Sequence, residues 1–191
     1  MYEAAGDPYC YKGTSVLRNI PGFRDHERLE RFETVMVAER ARESLPRGAL
    51  TIGHYRSVHR HLFQDVYRWA GRYRSVRIHK EGSTFCYPEH IPGQMKALFS
   101  RLREAEFYAG LAPPEFARQA AHFLADLNAI HPFREGNGRS QLSFVALIAV
   151  RAGHSLVLER LDPETFLGAM VSSFGGDEVP LVQQLRGLMI E

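Results

Sequence analysis

The chain has 191 residues, 45% of them apolar and 24% charged; a chain this long buries roughly 70% of its unfolded surface around a core, and the composition excludes disordered, collagen-like and disulfide-scaffold proteins. Lys and Arg number 24 against 22 Asp and Glu, a net charge of +2. That is too little for nucleic acid or an anionic membrane to be the expected partner, so any anion site must be local. The two cysteines, Cys10 and Cys86, lack CxxC or metal-ligand spacing, which fits reduced thiols in a cytoplasm. The N-terminus, Met1-Tyr2-Glu3-Ala4-Ala5-Gly6, lacks the basic flank and apolar run of a secretory leader. The longest apolar stretch, residues 144–150, is far shorter than the ~20 residues that span a bilayer. A soluble cytoplasmic protein is expected, with export by a signal-independent route left open.

Residues 1–24 mix Gly, Pro, Tyr and Asn without a helical period and read as an irregular arm. Asp25 is a good N-cap for a first helix with Leu29, Phe32, Val35, Met36 and Leu45 on its apolar face, ending before Pro46. Thr51 caps a second, with Tyr55, Val58, Leu62, Val66 and Trp69 inward and Gly71 as its stop. The period then changes. Val76, Ile78, Phe85 and Tyr87 alternate around Glu81-Gly82-Ser83, predicting a short hairpin over residues 76–87. A helical pattern returns from Pro88 to about Tyr108. Another begins near Pro114 with Phe116, Ala120, Phe123, Leu124, Leu127 and Ile130 on one face. Residues 141–150 are apolar on nearly every side, as a central buried helix would be. Asp162-Pro163-Glu164 starts a helix that stops at Gly175-Gly176, and one more covers residues 178–189. With no repeat or linker, the expectation is one mostly helical domain over residues 25–191 that carries a hairpin.

The chemistry concentrates in His131-Pro132-Phe133-Arg134-Glu135-Gly136-Asn137-Gly138-Arg139, between two helices. Gly136, Asn137 and Gly138 can turn successive N–H groups inward as an anion nest, and the following helix presents its positive end to the same spot. Arg139 could add a bidentate phosphate contact. Glu135 supplies a hard oxygen suited to Mg²⁺, which takes one or two carboxylates beside substrate oxygens. His131, at a helix end, suits a general base for an incoming hydroxyl. Phe133 would anchor the loop in the core. The bland alternative is an Asn-Gly hairpin turn beside a helix-terminal histidine, but hairpins need alternating flanks and both flanks here are helical.

This segment matches H-x-F-x-[D/E]-G-N-G-R, seven defined positions with a chance probability on the order of 10⁻⁹ per start site at average usage. It resembles the signature of the Fic (Fic/Doc) domain family. Leu62-Phe63-Gln64-Asp65-Val66-Tyr67-Arg68-Trp69-Ala70-Gly71-Arg72-Tyr73-Arg74 is similar to the helix and turn preceding that family's flap hairpin. Tyr11-Lys12-Gly13-Thr14-Ser15-Val16-Leu17-Arg18-Asn19 is similar to the arm of bacterial Fic toxins and secreted effectors. The resemblance implies an all-α helical bundle with a buried central helix and a flap. It implies a bacterial protein adenylyltransferase that moves AMP from ATP to a Tyr, Ser or Thr hydroxyl of a target, plausible targets of the toxins being DNA gyrase and topoisomerase IV. His131 would be the base and Glu135 the Mg²⁺ ligand; Gly136, Asn137, Gly138 and Arg139 would cradle the phosphates. Arg77, Ile78, His79 and Lys80 would dock an extended target segment by main-chain pairing.

The pattern departs from the family where a second arginine commonly follows: Leu142 stands there. Losing an Arg–phosphate contact costs about 1.5–3 kcal/mol, enough to change rate or nucleotide preference. Arg134 and Lys80 are possible substitutes, with solvated surface charge as the simpler reading of both. The family's inhibitory pattern [S/T]-x-x-x-E-[G/N] is missing, because Arg77 precedes Glu81-Gly82 and His131 precedes Glu135-Gly136 at the required position. A separate small antitoxin would then supply any brake. Two rivals remain: transfer of another phosphate-containing group or nucleotide, and a non-catalytic module that only docks a partner. His54, His59 and His61 lack an HExxH-type pattern and read as surface or core-edge residues, His122 and His154 as structural ones. Charges alternate along the first helix as on a solvated face.

Overall fold

In the computed structural model, which describes residues 7–80 and 83–190, seven α-helices and one hairpin follow the expected order. The chain divides into two compact units, Met1–Glu89 with Pro132–Ser140, and His90–His131 with Gln141–Glu191. The all-α class is as expected.

The first unit is built on helices α1 (His26–Arg42) and α2 (Ile52–Phe63), which pack against each other. Asp25 caps α1 by accepting from the Arg28 N–H, and Thr51 caps α2 by accepting from the His54 N–H. The inward stripe of α1 is Leu29, Glu33 and Val37, while Val35, expected inside, is 59% exposed. Helix α1 ends at Arg42, before Leu45. Helix α2 stops at Phe63 rather than running to Gly71, although Val66 is buried as its period predicts. The Val66 and Tyr67 N–H groups both turn back to the Phe63 carbonyl. The Val66 carbonyl accepts from Ile20 of the arm at 2.8 Å, where a continuing helix would use its own chain. Arg40 of α1 clamps Asp65 in this turn with two hydrogen bonds of 2.6 and 2.9 Å. Strands β1 (His79–Lys80) and β2 (Ser83–Thr84) pair antiparallel, His79 opposite Thr84 and Lys80 opposite Ser83. The expected turn residues Glu81 and Gly82 lie outside the described residues. Ile78 and Phe85 are buried and root the hairpin.

The second unit holds α3 (Ile91–Glu104), α4 (Pro113–Ile130), the Gln141-onward part of α5 (Asn137–Ala152), α6 (Pro163–Phe174) and α7 (Val179–Leu188). Helix α4 packs against α3, α6 and α7. Its expected face, Phe116, Ala120, Phe123, Leu124, Leu127 and Ile130, is buried throughout. Asp162 caps α6 through the Thr165 N–H, again as expected. In α5 the buried stripe is Gln141, Phe144, Val145, Ile148, Ala149 and Ala152, whereas Val150 is 68% exposed. Residues 142, 143, 146 and 147 are half-buried, so residues 141–149 are covered on every side as expected of a central helix, and the one exposed apolar residue at its end is ordinary on a protein surface.

Candidate active site

Helix α4 ends on His131, whose N–H donates to the Leu127 carbonyl at 3.0 Å. Its backbone is left-handed, φ 47° and ψ 61°. A non-glycine residue there carries roughly 1–2 kcal/mol of strain, and such strain clusters at functional sites. The side chain is buried.

The loop that follows belongs to the first unit. Phe133 is fully buried and meets the His59 ring at 3.7 Å and the Tyr55 ring at 5.3 Å between centroids. Asn137 is also buried, and its side-chain amide accepts from the Phe133 N–H and donates to the Phe133 carbonyl, both at 2.9 Å. Its side chain is therefore a staple that closes the loop, and any anion contact from Asn137 is left to its main chain. Gly136 has φ +80°, and a Cβ there would lie 2.2 Å from the Phe63 ring; only glycine meets both demands. Gly138 is different. Exposed in the first turn of α5, it has nothing within 4 Å of where a Cβ would project.

His59 was expected at the surface or core edge and instead lies at the centre of this support. Its Nδ1 accepts from the Gly71 N–H at 2.9 Å, so Nε2 carries the proton and donates to the Glu135 carbonyl at 2.9 Å. Tyr55, His59 and Phe63 recur every four residues on α2, and this spacing is the sequence signal that marks His59 as inward. Burial drives its pKa down to about 3, helped by Arg139 and opposed by the bond to Glu135. The folded pKa lies below the unfolded value near 6.5, so stability is complete above that pH and is lost as the pH falls toward 3. Between pH 7 and 5 this group alone should remove about 2 kcal/mol. Urea unfolding at the two pH values checks this, and His59→Gln should flatten the acid slope while lowering stability at pH 7.

His54 and His61 are likewise engaged with backbone carbonyls, of Pro46 and Arg40. Among the described residues no group of three or more His, Cys, Asp or Glu side chains could hold a metal by itself. Cys10 and Cys86 are free thiols. In the second unit His154 bonds the Leu111 carbonyl, while His122 pairs with Glu178.

Arg134 corrects the reading of a solvated charge. It is buried, and its Nε donates to Asp7 of the arm at 2.7 Å, both side chains being 5% exposed. Asp7 also accepts from the Tyr9 N–H at 2.9 Å. Its Nε is thereby committed to the arm. Nothing in the sequence singled out Asp7.

A cavity of about 550 Å³ opens beside the loop, lined by Ser15 and Leu17 of the arm, His26, Leu29, Glu30 and Glu33 of α1, Tyr67, Arg134, Glu135 and Arg139. Glu135 accepts from the Gly136 N–H at 2.9 Å, and its pKa is raised first by burial and then by the charge of Glu33. Arg139 bonds Glu33 at 2.5 Å, lies 3.7 Å from Glu135, and sits 4.7 Å above the Phe63 ring. Glu33 thus departs from the solvated face expected of α1. The expected phosphate residues Gly136 to Arg139 and the carboxylate of Glu135 are together in one unit. His131 is adjacent to them in sequence and closes the other unit.

At the hairpin, Ile78 points its side chain into the core, so only its main chain is left for docking. Arg77 lies 4.1 Å over the Tyr87 ring and 3.8 Å from Glu89, and His79 bonds Thr84 at 3.0 Å. Lys80 enters as a strand residue by its backbone.

The Fic/DOC family model matches residues 49–149. The chain is 48% identical over 189 residues to the probable protein adenylyltransferase y4lH of Sinorhizobium fredii, covering 98% of each. It is 35% identical to the probable protein adenylyltransferase Fic of Escherichia coli, over 90% of this chain and 86% of that one. Among solved structures, the BepC effector protein of Bartonella tribocorum with bound AMPPNP superposes with a TM-score of 0.87 at 25% identity, over 95% of this chain and 96% of that one. With the motif loop, its supporting helix and these likenesses in agreement, the chain belongs to the Fic/DOC family.

Proposed function

We propose that this chain is a protein adenylyltransferase that transfers AMP from ATP to a hydroxyl side chain of a target protein. The observation that carries the reading is Gly138. Glycine is a poorer helix former than alanine, and no neighbour demands it here. A phosphate approaching the bare first turn of α5 would demand it. The names of the relatives and the AMPPNP held by BepC support the same chemistry.

On this reading His131 accepts the proton of the target hydroxyl as its oxygen attacks the α-phosphorus. The new oxygen–phosphorus bond forms, the bond to the β-phosphate oxygen breaks, and pyrophosphate leaves. The main chain of residues 136–138 and the Arg139 guanidinium hold phosphate oxygens, and the His59 latch keeps the Glu135 carbonyl and the turn after it in place. Glu135, with its carboxylate on the cavity, fits a Mg²⁺ site completed by substrate oxygens, where the ion would neutralise phosphate charge. The main chain of residues 77–80 would align an extended target segment. A separate small antitoxin is the brake this reading expects, and type II topoisomerases such as DNA gyrase are the first targets to test. Among the described residues no helix is long and apolar enough to cross a membrane, and a bacterial cytoplasm, or delivery from it as an effector, is the proposed setting.

Leu142 favours a second reading in which another nucleotide is the donor, because the expected partner of the terminal phosphate is missing. The test incubates the protein with α-labelled ATP, Mg²⁺ and cell lysate, with GTP, UTP and CDP-choline as competitors, and takes intact masses of labelled targets. A gain of one AMP supports the proposal, while a different added mass or no modification under any nucleotide overturns it. In the same assay Gly138→Ala should lose roughly tenfold or more in transfer with no loss of stability, since the methyl occupies the phosphate's place while alanine is the better helix former. Unchanged transfer by this variant would remove the main support for the site.

A further inference from the structure

We propose that Glu33 and Tyr67 are positioning residues for nucleotide binding, acting through Arg139. The inference rests on the reading above that Arg139 holds phosphate. Its geometry involves three separate stretches of the first unit. Arg139 is 40% exposed on the cavity and its Nη2 donates to Glu33 Oε1 at 2.5 Å, whereas Glu33 is only 13% exposed. The other oxygen of Glu33, Oε2, accepts a short hydrogen bond from the Tyr67 hydroxyl, and Tyr67 is buried. Each carboxylate oxygen therefore has a donor, which sets the plane of the carboxylate and hence the direction from which it receives Arg139. Below the guanidinium lies the Phe63 ring at 4.7 Å.

The chemistry explains why such a hold matters. A free arginine side chain has many rotamers, and a phosphate contact must otherwise overcome the entropy of ordering them. A guanidinium has five N–H donors, so a carboxylate that engages one nitrogen leaves the rest for phosphate oxygens. The placement of Glu33 is itself informative. It lies midway between Leu29 and Val37 on the buried stripe of α1, where a carboxylate costs stability unless it is fully bonded. A carboxylate used only to cover surface would sit on the outer face of that helix.

The test measures the Kd of AMPPNP with Mg²⁺ by calorimetry for the full chain and for Glu33→Gln, Tyr67→Phe, Arg139→Ala and the double variant Glu33→Gln/Arg139→Ala, each with its melting temperature. The expected result is a roughly 10- to 100-fold weaker Kd for Glu33→Gln, the scale for outer partners that orient a binding group. Tyr67→Phe should move the same way by less, and the double variant should bind no worse than Arg139→Ala. A merely structural loss would persist in the Arg139→Ala background, and that outcome overturns the proposal. Wild-type or tighter binding by Glu33→Gln, with Arg139→Ala impaired, also overturns it and leaves the proposed function standing. Unimpaired binding by Arg139→Ala instead removes the phosphate role of Arg139, and the positioning role with it. The two Glu33-network variants are read independently, so misfolding of one leaves the other to decide.

Discussion

Replacing His131 with alanine should lower AMP transfer by roughly two to four orders of magnitude, the usual contribution of a positioned general base, while the fold persists. The backbone makes this case separable from a structural one. His131 caps α4 in a left-handed conformation that asparagine tolerates better than most residues and glycine tolerates freely. If the residue served only to end the helix, His131→Asn would retain both stability and transfer. If its imidazole accepts the proton of the target hydroxyl, His131→Asn keeps the cap and loses transfer as His131→Ala does. Quantifying labelled target for both variants, with melting curves beside them, distinguishes the cases; full transfer by the asparagine variant would remove His131 from the chemistry.

The second large effect lies in the arm. Asp7→Ala should destabilise the protein by about 3–5 kcal/mol, because it removes the carboxylate from a buried ion pair. The pair is 2.7 Å apart and both side chains are 5% exposed, so solvent screens it little. Water is poorly placed to replace Asp7. The double variant Asp7→Leu/Arg134→Met should recover most of the loss, since apolar replacement of a whole buried ion pair is often close to neutral. Denaturant midpoints at neutral pH measure both. A loss below 1 kcal/mol for Asp7→Ala would show that this ion pair is not what holds the arm to the loop.

The two effects place the site's dependencies in different parts of the chain. The reacting groups are close together in sequence, from His131 to Arg139, but their supports come from the arm, α1 and α2. His59 holds the Glu135 carbonyl, Phe63 limits Gly136 to glycine, Glu33 receives Arg139, and Asp7 receives Arg134. Variation in those supports should therefore alter nucleotide handling without touching the motif.

What the amino-acid order determined by itself was local. Asp25, Thr51 and Asp162 marked helix starts because a cap is a hydrogen bond to an N–H only a few residues away. The inward face of α4 was legible because the helical period repeats over its full length. The loop could be read because its glycines, acid and arginine are contiguous. The end of α2 was not legible: Val66 and Trp69 continue the apolar period, but the arm's Ile20 and the Arg40 clamp draw the backbone out of the helix. Nor could Arg134 be separated from a surface charge, or Glu33 from a solvated acid, because their partners are 127 and 106 residues away along the chain. Only the folded chain decides such pairings, since a charge's surroundings depend on which distant segments bury it and what they offer in return.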